Sequence, residues 1–147
     1  MTFEGASELI QKGLLALKHG HSFLAMTYLE QAMEYGKTPV LASYLAYCHA
    51  LNGRDLDKSI TLGRDALQAD PANPECCLNL GRILLLSGLK DEAITVFRQG
   101  LTYSLHPELT DQLEQLGLRK PPTFKTLPRN HFLNKSCGQL QILLGFR

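Results

Sequence analysis

Tryptophan is absent from this 147-residue chain, and most of the motifs that carry chemistry are missing with it. The four cysteines, Cys48, Cys76, Cys77 and Cys137, contain no Cys-x2-Cys pair, so neither a zinc knuckle nor a haem attachment site can be assembled from them. They read as small, half-buried helical residues in a reducing compartment. No apolar run approaches the length of a membrane span, and the N-terminus shows no basic start followed by an apolar stretch. A soluble, cytoplasmic protein is expected. A Ser/His/Asp set, a carboxylate pair, a phosphate-cradling glycine loop and a His-Glu-x2-His motif are all lacking. Of the five histidines, His19 and His21 share one turn, where imidazoles are more often solvated than metal-bound, and His49, His106 and His131 are scattered. The chain reads as a non-enzyme with no cofactor and no metal.

One sign of charge is missing from one end. After Glu114 there is no acidic residue, whereas Arg119, Lys120, Lys125, Arg129, Lys135 and Arg147 all follow it. The residues before them hold nine Lys/Arg against all 14 Asp/Glu, so a body near −5 precedes a tail of +6. Such asymmetry suits an acidic partner, a nucleic acid or an anionic membrane. It equally suits a tail lying on its own acidic body, which is the favoured reading because no dense basic run is present.

What the chain does have is a ladder with a period of 34 residues. Gly13, Tyr47 and Gly81 form one rung; Ala25, Ser59 and Ala93 the next; then Leu29, Gly63 and Phe97; then Ala32, Ala66 and Gly100. Three copies align without a gap over 6–39, 40–73 and 74–107. Within the first, Leu9, Leu14 and Leu17, then Leu24, Met26, Leu29, Ala32 and Met33, recur at helical spacings. Lys18-His19-Gly20-His21, Asn52-Gly53-Arg54-Asp55 and Ser87-Gly88-Leu89-Lys90 interrupt the three copies. Helix pairs are predicted near 5–18 and 22–35, 40–52 and 55–69, 74–87 and 90–104. Small rungs let paired helices approach closely, and each pair leaves an apolar face that only a neighbour can bury.

The third copy reads Cys77-x2-Leu80-Gly81-x2-Leu84, then Ala93-x3-Phe97, and Ala69-Asp70-Pro71-Ala72-Asn73-Pro74 precedes it. This pattern resembles the tetratricopeptide repeat, with Cys77 and Leu84 where that family prefers Trp and Tyr. The second copy departs at Ser59 and Gly63. The resemblance implies a right-handed all-α solenoid and a role in holding other chains. It also implies a concave groove lined by the first helix of each pair. By position, that lining includes Ile10, Leu14 and Leu17; Tyr44, Leu45, Cys48 and Leu51; and Leu78, Asn79, Arg82 and Leu85. Some family members clamp a C-terminal carboxylate, but Ile10, Leu14, Leu45, Glu75 and Asn79 stand where that clamp needs Lys, Asn and Arg. An apolar groove with the single cation Arg82 implies an amphipathic helix or an extended hydrophobic segment as ligand. About half of these leucines are expected to be inter-helix core instead.

Beyond the repeats, Leu109, Leu113 and Leu116 continue the helical spacing, which predicts a capping helix near 107–117 and a repeat domain over 1–118. Residues 119–147 read as a linker around Pro121-Pro122 and a short amphipathic helix over 130–145, packed on the body or on a second copy. The function expected is a protein-binding adaptor or scaffold. The alternatives are a small export or assembly chaperone, similar in size to those of bacterial secretion systems, and a tail that binds nucleic acid or anionic membrane.

Overall fold

The computed structural model describes residues 3–117, and every element among them is an α-helix. The helices are α1 (Phe3–Lys18), α2 (Ser22–Met33), α3 (Pro39–Leu51), α4 (Leu56–Ala69), α5 (Pro74–Leu86), α6 (Lys90–Tyr103) and α7 (Pro107–Gln115). The three predicted pairs and the predicted seventh helix are therefore present, with ends shifted by two residues at most. The compact unit they build ends at Leu113, inside α7. The predicted 130–145 helix and the tail cations Arg119, Lys120, Lys125, Arg129 and Lys135 lie outside the described residues. No helix among the described residues is long and apolar enough to cross a membrane.

Local chemistry sets the helix ends. Thr38 and Asn73 stand before a proline in the first helical turn; their side-chain oxygens accept from the backbone N–H of Leu41 and Glu75 at 3.2 and 3.0 Å. Asp55 caps α4 in the same way, accepting from Asp57 and Lys58. The turn inside each pair repeats a single device. Gly88 has φ 77° and donates to the Leu85 carbonyl, while Leu89 donates to Leu84, five residues back. This crossed pair of bonds satisfies the last carbonyls of α5 and needs a left-handed residue that glycine supplies. Gly20 and Gly53 serve identical turns after α1 and α3.

Packing follows the ladder. Every rung residue except Tyr47 is buried, and Ala25, Leu29, Ala93 and Phe97 are 0% exposed. Within repeats α1 lies on α2, α3 on α4 and α5 on α6; between repeats α2 meets α3, α4 meets α5 and α3 meets α5. At Gly81 the approach is so close that an added methyl would overlap the Phe97 ring, and at Gly13 it would come within 2.9 Å of Leu29. The degenerate second repeat solves the problem differently. Gly63 faces Leu80 and Ile83 of the next repeat, so its missing side chain makes room between repeats. At the far end Leu109 of α7, 0% exposed, lies over Gly100, which also faces Cys77.

Candidate functional site

A cleft of about 890 Å³ runs across the first helices of the repeats and is lined by α1, α3, α5 and α7. Leu14, Leu17 and Lys18 come from α1, and Tyr44 and Tyr47 from α3. The α5–α7 wall is Glu75, Arg82, Leu85 and Leu86 of α5, with Glu108 and Gln112 of α7. Helical spacing explains the selection. Residues three or four apart share a face, so Leu14 with Leu17 or Lys18, Tyr44 with Tyr47, and Arg82 with Leu85 or Leu86 point the same way.

The polar groups of this cleft are tied together. The Tyr44 hydroxyl donates to Glu75 Oε2 at 2.5 Å, and Glu75 Oε1 lies 3.0 Å from His106 Nε2. Burial and the Glu75 bond push the Tyr44 phenol well above its ordinary range, so it stays a donor. Arg82 makes a 2.7 Å ion pair with Glu108 and lies over the Tyr47 ring, 5.6 Å from its centroid. Burial likewise raises Tyr47, against the opposing charge of Arg82.

Five of the sequence-predicted residues, Leu14, Leu17, Tyr44, Arg82 and Leu85, come together on the cleft. Others do not. The sequence reading places Leu45, Cys48, Leu78 and Asn79 in the groove, whereas the structure buries them at 8%, 0%, 1% and 0% exposure. The reason is that α3 and α5 are covered by neighbours on several sides, which turns these positions into inter-repeat core. Ile10 packs against the core shared by the first repeat and α3, and Leu51 is exposed but lies off the cleft. Arg82 is not a lone cation, because Glu108 neutralises it.

Five lining residues escaped the sequence reading, Lys18, Tyr47, Leu86, Glu108 and Gln112, as did His106, the partner of Glu75. Tyr47 stands on the 34-residue ladder, although its rung partners are both glycine. The α7 residues could have been found, since Pro107 stands 34 positions after Asn73 and so continues the first-helix register.

Thiol chemistry has no place in the cleft. Cys48, Cys76 and Cys77 are free and buried, and burial pushes Cys48 up to about 12 and Cys77 up to about 11. Among the described residues no cluster of His, Cys, Asp and Glu could hold a metal ion.

A family model described as Tetratricopeptide repeat matches residues 50–104, the span of α4, α5 and α6. No curated protein matches the chain. Repeats of this kind generally mediate contacts between proteins, as adaptors or scaffolds, and are typically non-enzymatic. The 34-residue register, the three antiparallel helix pairs and this match over residues 50–104 together support a helical array of the tetratricopeptide repeat kind.

Proposed function

We propose that the chain is an adaptor whose cleft holds an apolar or amphipathic segment of another protein. One observation carries the reading: leucines from helices two repeats apart, Leu14 and Leu17 on α1 and Leu85 and Leu86 on α5, face a shared cleft of about 890 Å³. Leu86 is 47% exposed, and such side chains lose that contact with water when a partner covers them. The tyrosines between them give rigid, amphipathic surface of the kind that anchors peptides. Ties among Tyr44, Glu75, His106, Arg82 and Glu108 hold the cleft in shape before a ligand arrives, which lowers the entropic cost of binding.

The test is affinity purification with the full-length chain and with a Leu14→Ser/Leu86→Ser variant, compared by mass spectrometry. Proteins enriched by the parent should be lost with the variant while circular dichroism stays the same. Identical partner sets would move the binding site off the cleft.

A further inference from the structure

We propose that the segment held in the cleft is basic as well as apolar, with a lysine or arginine seated against Glu75 and Glu108. This rests on the peptide-binding reading above and narrows its partner to one chemistry. The argument begins with charge on the α5–α7 wall. That wall carries two carboxylates and one guanidinium, and the guanidinium of Arg82 is already engaged by Glu108 at 2.7 Å and by the Tyr47 ring. Glu75 accepts from a phenol and lies against an imidazole. Both partners bring donors, and neither brings a full charge unless the ring is protonated. Of the two carboxylates, Glu75 is thus the one with no Lys or Arg beside it on that wall, held only by a phenol and an imidazole on a side chain that is 31% exposed.

Lys18 is the cleft's other cation and belongs to α1, not to the α5–α7 wall. The surroundings point the same way. The residues before Arg119 carry 14 acids against nine Lys/Arg, and α7 adds Asp111 and Glu114 beyond Glu108 with no base of its own. An anionic ligand would have to displace Glu108 from Arg82 and approach Glu75 at once. A cationic ligand has neither cost at this wall and meets an unengaged like charge only at Lys18 on α1, and its alkyl stem can lie on Leu85 while the charged end reaches the carboxylates.

The experiment uses the full-length chain and three dye-labelled peptides of about 18 residues, or five helical turns, read by fluorescence anisotropy. All carry the same leucine face, and their polar positions are Lys, Gln or Glu. The Lys peptide is expected to bind about fivefold tighter than the Gln peptide at low salt, with the Glu peptide weakest. Glu75→Gln keeps an acceptor for Tyr44 and should bring the Lys and Gln peptides to within about twofold, with unchanged circular dichroism. Equal affinity of the Lys and Gln peptides would overturn the proposal and leave the apolar cleft standing. An undiminished Lys preference in Glu75→Gln would overturn it too, because the cation would then be read elsewhere. Failure of all three peptides would remove the peptide-binding reading itself.

Discussion

Glycine 81 and phenylalanine 97 show how one missing side chain decides a packing geometry. The ring occupies the space that a Cβ on residue 81 would need, and it is 0% exposed, so it has nowhere to turn. Gly81→Ala should therefore destabilise the array by about 1–3 kcal/mol, the usual cost of overfilling a packed core. Gly5 in α1 has nothing within 4 Å of the added carbon, and Gly5→Ala should be neutral or slightly stabilising because alanine is the better helix former. Thermal melts of the two variants check this. If they melt together, the close approach at Gly81 is not what holds α5 against α6. A further lesson sits at residue 79. Its position in the repeat suggested a ligand contact, but its amide Nδ2 instead donates to Ser43 Oγ at 3.0 Å, with both residues 0% exposed.

At the scale of elements, α7 is both a cap and a wall of the cleft. Leu109 anchors it, and Glu108, one residue before, reaches Arg82. Truncating that anchor, Leu109→Ala, should free α7 with a cost of about 2–5 kcal/mol at the end of the array. In a stack where each unit touches mainly its neighbours, the effect should stay local. Hydrogen exchange should show faster amides in α7 and the adjoining part of α6, with α1 to α4 unchanged. Uniform loss of protection would mean that the array melts as one block. The helix pairs themselves were legible in the sequence because apolar spacing, proline and the turn glycines all agree, as at Gly88. The cleft was legible only in part. Tyr44 and Arg82 were found, but Cys48 and Leu78 share their helices and face the core, and period alone cannot separate two covered faces of one helix. Glu108 was missed because it lies on a helix read purely as a cap.

For the molecule as a whole, the buried thiols set an alkaline limit. Cys48 and Cys77 are pushed up to about 12 and about 11 from an ordinary value of 9.0, chiefly by burial. Below pH 9 these thiols are protonated in both folded and unfolded chains and stability is unaffected. Above it the unfolded chain releases its protons first, so stability falls by up to about 1.4 kcal/mol per pH unit for each thiol until the folded value is passed. Melting temperature should hold steady from pH 7 to 8.5 and drop steeply between 9 and 11. Tyr44 and Tyr47 are raised as well and add to the slope, so the measurement that isolates the thiol is a shallower decline in Cys48→Ala. The Ser43–Asn79 bond has a consequence of another kind. Chains made of look-alike units risk assembling out of order, with the third unit seated on the first. Thirty-four positions before Ser43 stands Leu9, so in that mistaken arrangement the Asn79 amide would meet hydrocarbon instead of a hydroxyl. Losing that partner in a dry interface costs about 1–3 kcal/mol, enough to favour the correct neighbour by roughly fivefold or more. The bond thus works as an address label: it tells the third unit which of its two siblings to sit beside.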